Sequence, residues 1–258
     1  MDPLPPRQMD ILELARREGR VEVDTLASRF SVTPQTIRKD LNDLCDMEKL
    51  HRVHGGAVFP SNTVNLGYLA RRNIAADGKA RIADRAAALI GDDASLILNI
   101  GTTVEQVAHA LVRHRDLMVI TNNLNVATIL YDAPGTEVVI SGGVVRKTDG
   151  GIVGEAAVDL IRQFKVDYAV IGASAIDMDG ALLDFDYREV RVARAILEQA
   201  RIKILVADAT KFERRAPVQI GHLRDIDIFV TDAMPPAEIA EICTESNVDL
   251  IVVDRTDD

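Results

Sequence analysis

Seven short apolar runs punctuate the chain after residue 94, at 95–98, 117–120, 137–140, 168–171, 202–206, 226–230 and 250–253. They are rich in Val, Ile and Leu and mostly continuous in hydrophobicity, as strands covered on both faces are. Helical patterns fill most of the gaps, clearest over 104–112, 156–164, 189–200 and 237–245. Strand–helix alternation of this kind leaves few folds open: it predicts α/β architecture, a mostly parallel sheet with helices on both sides. At 258 residues the chain has room for one such domain and a smaller one.

Composition removes several other classes. With 47% hydrophobic and 27% charged residues, the chain is neither disordered nor collagen-like. No apolar run reaches the ~18 residues of a membrane span, and the opening Met1-Asp2-Pro3-Leu4-Pro5-Pro6-Arg7 has no apolar signal core. The two cysteines, Cys45 and Cys243, are far apart in sequence, so neither a disulfide framework nor a zinc site is expected. A cytoplasmic location, no membrane partner and no cofactor are the expectations.

Net charge is −10, but its distribution is uneven. Residues 1–58 carry 9 basic and 10 acidic side chains, and residues 59–258 carry 21 and 30. Any nucleic-acid contact in the near-neutral first part must come from placement rather than bulk charge.

That first part has the marks of a small helical head. One helix is predicted over 7–18, with Gly19 as its stop, and a second over 24–30. A third begins at Thr33-Pro34. Thr33 suits the N-cap, and proline suits the first helical position because its missing N–H has no partner there anyway. Ser31 and Val32 alone separate the second helix from that cap, which is helix-turn-helix spacing. Ile37, Leu41 and Leu44 share the inner face of the third helix. Gln35, Lys39 and Asn42 fall opposite, flanked by Thr36 and Arg38, while Asp40, Asp43 and Asp46 are expected later or to the side. Arg and Lys suit guanine edges, and Gln and Asn suit adenine. The following 49–59 stretch, with Arg52 and His54 before Gly55-Gly56, predicts a β-hairpin wing able to touch phosphates. The DNA-contacting residues expected are therefore Gln35, Thr36, Arg38 and Lys39, supported by Thr33, Arg52 and His54. Each piece alone is commonplace, and an amphipathic helix is usually core plus solvated face; the ordered combination is not.

In the larger part, small loops follow strands. Gly101-Thr102-Thr103, Thr121-Asn122-Asn123, Gly142-Gly143 and Gly172-Ala173-Ser174 each come after an apolar run. Small and hydroxyl residues at the carboxyl ends of parallel strands form anion-binding nests. Lys211, in Asp208-Ala209-Thr210-Lys211, adds a point charge suited to a phosphate. Gly101, Thr102, Thr103, Asn122, Gly142, Gly143 and Lys211 are expected to frame the phosphate of a small ligand, and Asp184 and Glu189 to hold its hydroxyls.

The run Ser31-Val32-Thr33-Pro34-Gln35-Thr36-Ile37-Arg38-Lys39-Asp40-Leu41, with His54-Gly55-Gly56-Ala57 after it, resembles the DNA-binding head of the DeoR family of bacterial transcriptional regulators. The resemblance continues through Asn99-Ile100-Gly101-Thr102-Thr103, Thr121-Asn122-Asn123-Leu124-Asn125 and Phe185-Asp186-Tyr187-Arg188-Glu189. It implies a winged helix-turn-helix DNA-binding domain over 1–58, a linker over 59–75, and an α/β effector-binding and oligomerisation domain over 76–258, similar to ribose-5-phosphate isomerase. It implies a repressor of operator DNA, relieved by a phosphorylated sugar or polyol, with glycerol 3-phosphate the effector expected. The family commonly places a lysine where this chain has Ala193, so one possible ligand contact is expected to be absent or moved. Because one head offers few contacts, a homo-oligomer is expected.

Two other functions could use the same residues. A sugar-phosphate isomerase would need a placed base near a carbonyl. Asp184, Asp186 and Glu189 are available, but Gly172-Ala173-Ser174-Ala175 has Ser and Ala where the related isomerase carries acids. A protein-binding winged helix is disfavoured by the Gln35, Arg38, Lys39 stripe.

Overall fold

The computed structural model describes residues 4–18, 20–47, 49–53, 55–58 and 68–253. The expectations for Gly19, His54, the connector residues up to 67 and the tail from 254 lie outside the described residues. The chain divides into two compact units, Met1–Val64 and Asn65–Asp258.

The first unit runs α1 (Pro6–Glu18), β1 (Arg20–Glu22), α2 (Val23–Phe30), α3 (Pro34–Asp46), β2 (His51–Val53) and β3 (Gly56–Val58). Thr33 caps α3, its side chain accepting from the Thr36 N–H at 3.2 Å. Ser31 turns the chain out of α2 in the left-handed region, φ 53°. Ile11, Leu26, Ile37, Leu41, Leu44 and Ala57 close a shared core. The expected hairpin is present, pairing Arg52 with Ala57. Sequence reading did not foresee β1, which adds a third strand alongside β3. Asp40 departs from expectation: it is buried, taking the Arg7 Nε–H at 2.6 Å. At three and four positions from Ile37 and Leu44 it falls on the inner flank of α3, and Arg7 on α1 neutralises it there.

The second unit begins with α4 (Tyr68–Asn73) and α5 (Ala76–Ala87), so what was expected to be linker is helical from Tyr68. There follow β4 (Ser95–Leu98), α6 (Thr102–Leu111), β5 (Leu117–Thr121), α7 (Leu124–Leu130) and β6 (Thr136–Ile140). Next come β7 (Val144–Val145), β8 (Ile152–Val153), α8 (Glu155–Ile161), β9 (Val166–Ile171), β10 (Ala175–Ile176), β11 (Ala181–Asp184) and α9 (Tyr187–Gln199). The unit ends with β12 (Ala200–Val206), β13 (Val218–His222), β14 (Ile228–Thr231), α10 (Ala237–Glu245) and β15 (Asp249–Val252).

All seven apolar runs become strands of one sheet, in the order β15-β14-β12-β9-β4-β5-β6. Every pairing in it is parallel. Alternate side chains supply two cores. Leu96, Leu98, Val119, Val170 and Ile204 pack under α5, α6 and α7. Ile97, Ile120, Ala169, Ile171, Leu205 and Phe229 pack under α8, α9 and α10. From β4 the chain winds outward to β5 and β6, then returns to β4's other side at β9. That reversal is a topological switch point, and ligand clefts open there, beyond the carboxyl ends of the strands. A small antiparallel sheet, β10-β11-β13, and the β7–β8 hairpin border the same end.

Candidate functional site

Two surfaces carry chemistry. In the head, Gln35, Arg38, Lys39 and Asn42 are exposed on one side of α3, and Arg52 is exposed on β2. Among the described residues, Arg38 and Lys39 have no ion-pair partner. Thr36 is half-buried, and its hydroxyl lies 2.9 Å from that of Thr33, so this pair fixes the helix start. The face offers amide and cation groups held by a capped helix, the inventory that reads base edges in a major groove.

In the second unit, a cleft opens beyond β4, β9 and β12. Gly101, Thr102, Thr103, Ser174, Asp184, Glu189 and Lys211 line it, together with Arg71. Gly101 precedes α6 at φ 137°, a conformation that L side chains rarely adopt, and so aims the first N–H groups of α6 into the cleft. Thr102 and Thr103, the first two residues of α6, are buried there. Such a helix start favours an anion.

Cations gather at this end. Lys211 lies 4.0 Å and Lys79 3.9 Å from Asp208 Oδ2, and all three are buried. Burial pushes the Lys211 ammonium down to about 8, and Asp208 opposes that only in part. Lys79 and Arg214 are lowered too, by burial first, with Arg71 adding repulsion in both cases. The Arg71 Nε and the Arg214 Nη2 are buried without a hydrogen-bond partner. Like charges crowded together with unused donors are the signature of a site built for a bound anion.

Two carboxylates, Asp184 and Glu189, line the same cleft. Asp184 accepts from Ser174 Oγ at 3.2 Å and from the Phe185 N–H at 2.6 Å. Glu189 meets Arg146 Nη1 at 2.5 Å. Burial raises both carboxyls, and the charge of Asp184 helps push Glu189 up to about 8 despite Arg146. The pair therefore shares a proton near neutrality and can both donate to and accept from ligand hydroxyls. The cleft suits a small molecule that carries both an anion and hydroxyls.

The structure thus brings together Gly101, Thr102, Thr103, Asp184, Glu189 and Lys211. It does not bring in the other three residues of that set. Asn122 is wholly buried and donates to the Ile152 carbonyl at 3.3 Å, tying β5 to β8. Gly142 is exposed and lies in the loop between β6 and β7. Gly143 has φ 133°, and a Cβ there would lie 2.6 Å from the Val153 carbonyl, so its glycine serves the β7–β8 hairpin. Ala193 is wholly buried in the core, so that position on α9 does not face the cleft. Arg71, Lys79, Arg146 and Arg214 were missed. Arg71 reaches Asp149 across 78 positions and Arg146 reaches Glu189 across 43, and no local pattern marks any of the four.

Two family models match the chain: a DeoR-like helix-turn-helix domain over residues 7–63 and a DeoR C terminal sensor domain over residues 74–233. The chain is 44% identical to the glycerol-3-phosphate regulon repressor of Escherichia coli, over 95% of this chain and 97% of that one. It is 44% identical to the repressor of the same name in Haemophilus influenzae, over 89% of each. The HTH-type transcriptional repressor CsqR of Escherichia coli is 38% identical over 96% of this chain and 95% of its own. Among solved structures, ribose 5 phosphate isomerase A from Neisseria gonorrhoeae aligns over 53% of each chain, with TM-score 0.39 and 14% identity. A likeness that small says nothing of function.

Proposed function

The chain belongs to the DeoR family of transcriptional regulators, and from that premise we propose that it is an operator-binding repressor released by glycerol 3-phosphate. The observation that carries the effector class is the cleft's mixed lining: buried cations around Asp208 together with the Asp184–Glu189 pair. A phosphorylated polyol complements both. Its phosphate meets the α6 N-terminus, Thr102, Thr103 and Lys211, and its hydroxyls meet Asp184 and Glu189. The relatives' printed name narrows the polyol to glycerol 3-phosphate.

Operator contact falls to Gln35, Thr36, Arg38 and Lys39, with Thr33, Arg52 and His54 on phosphates. Two or more heads act together, assembled as a homo-oligomer through the second unit, because a single small head neutralises few phosphates. A repressor of this kind works in the cytoplasm, where its DNA is. Release is a population shift: the effector binds better to an arrangement whose heads do not match the operator half-sites. A tenfold change in occupancy needs a differential of only ~1.4 kcal/mol. Thermal-shift titration of the purified protein tests the ligand class. Glycerol 3-phosphate raises the melting temperature, and glycerol, which lacks the charge, does not.

The Asp184–Glu189 pair is also the kind of group that proton transfer uses, so an isomerase remains the second reading. The relatives' names, all repressors, weigh against it. A coupled assay with ribose 5-phosphate is expected to show no turnover, and measurable turnover would revive the enzyme.

A further inference from the structure

Residues 64–73 fall between the two family-matched regions. Within them, α4 is fastened to the cleft. The Tyr68 hydroxyl donates to Glu105 Oε2 at 2.7 Å, in the first turn of α6, and accepts from Asn125 Nδ2 at 3.1 Å. Burial, then Glu105, pushes that phenol up to about 12, so it stays a donor at all working pH. The Arg71 carbonyl accepts from the buried Lys79 ammonium, which also donates to the Ile74 carbonyl at 2.7 Å.

The side chain of Arg71 lines the cleft beside Thr102, Thr103 and Lys211. It is poorly satisfied. Its Nε is buried without a partner, and its one ion pair among the described residues, to Asp149 Oδ2, is long at 3.4 Å. Asp149 is already held in a two-pronged pair by Arg146, at 3.1 and 2.6 Å. Arg71 is therefore a guanidinium with spare donors, set among other cations, at the mouth of a helix N-terminus. A planar fork of that kind binds phosphate through two parallel hydrogen bonds.

We propose that Arg71 is a ligand of the effector's phosphate, exchanging its long contact with Asp149 for the anion. The inference rests on reading the cleft as a phosphorylated-effector site. It has a consequence for signalling. Helix α4 is the first described element after the head in the chain, so occupancy acts directly on the segment that leads to the head, without passing through the sheet.

Calorimetric titration of the full chain with glycerol 3-phosphate, and separately with inorganic phosphate, tests this. Arg71→Ala is expected to weaken both by about tenfold or more, the loss of one charge-assisted contact, and Arg71→Lys to recover part of that. Asp149→Asn frees Arg71 but also unpins Arg146, which holds Glu189, so it is read with inorganic phosphate, which has no hydroxyl arm to reach Glu189, and there it should bind at least as tightly as the wild type. If Arg71 only props α4 against Asp149, both variants weaken binding alike, which overturns the proposal, as does wild-type affinity in Arg71→Ala. If the wild type binds neither probe, the effector reading itself fails, and the inference falls with it. At equal effector occupancy, Arg71→Ala should release operator less completely than the wild type. Equal release would remove the signalling role.

Discussion

Lys211 shows how much of the proposed effector site is decided by single groups. Burial holds its ammonium down to about 8 in the free protein, and a bound phosphate would draw it back up. Binding above pH 8 must then take up a proton, where the phosphate itself is already dianionic. Affinity for glycerol 3-phosphate should fall with rising pH there, by up to about tenfold per unit, and calorimetry at pH 7, 8 and 9 would read it. Lys211→Met should bind more weakly and lose that slope. Glu189 gives the opposite kind of test. Folding raises its carboxyl from the ordinary 4.5 to about 8, through burial and Asp184, so the folded chain holds this proton more tightly. The stability it contributes is full below pH 4.5 and drains as pH rises through 8. Glu189→Gln should therefore raise the melting temperature relative to wild type at pH 9 more than at pH 5. A constant difference across that range would mean that Arg146 keeps Glu189 ionised throughout. In the head, Arg38→Ala should cost roughly 1–3 kcal/mol of operator affinity if it reads a base. An unchanged affinity removes it from the interface. Lys211 was legible in the sequence because it follows the apolar run 202–206, and Glu189 because it opens a helical pattern in the segment that carries the family resemblance. Arg71, Asp40 and Arg146 were not, because their partners lie 78, 33 and 43 positions away.

Elements were legible in proportion to their length and burial. All seven strands of the parallel sheet were readable, since each is an apolar run and four or more residues long. The head's third helix was readable from its start, because Thr33 and Pro34 announce it. Thr33→Ala should cost about 1 kcal/mol of stability by losing the cap, measurable by chemical denaturation with coincident spectroscopic probes. Strands β7, β8 and β10 are two residues each, too short to show a period, and β11 and β13 pair across long gaps. Helix α5 hid because its buried face is largely alanine: Ala83, Ala86 and Ala87 beside Ile82. Helix α4 is only six residues long, too short to show a helical period, and Tyr68 ties it to α6 through a polar contact. Gly142-Gly143 read as a phosphate nest and proved to be hairpin geometry. Gly143→Ala should destabilise the second unit by about 1–3 kcal/mol through strain at positive φ and the clash with Val153.

The whole chain carries a head with an exposed polar helix face and a sensor unit with a cleft lined by both cations and carboxyls. Composition alone pointed away from nucleic acid, with a net charge of −10. Placement decides otherwise, because the acid excess lies mostly in the second unit and leaves the α3 face its cations. The assembly needed for operator affinity is a claim about the whole chain. Light scattering should return a mass at least twice that of the 28.2 kDa monomer, and a monomer would require a single head to bind alone. The central claim is that DNA and a phosphorylated polyol compete for one equilibrium. Fluorescence anisotropy tests it most directly: titrate the protein onto labelled DNA from upstream of neighbouring glycerol-utilisation genes, at fixed salt because phosphate contacts make affinity salt-dependent. Repeat with glycerol 3-phosphate, glycerol and fructose 1-phosphate. The account predicts tight binding, weakened about tenfold or more by glycerol 3-phosphate alone, which corresponds to ~1.4 kcal/mol of coupling. Binding that ignores glycerol 3-phosphate, or no sequence-specific binding at all, would contradict it.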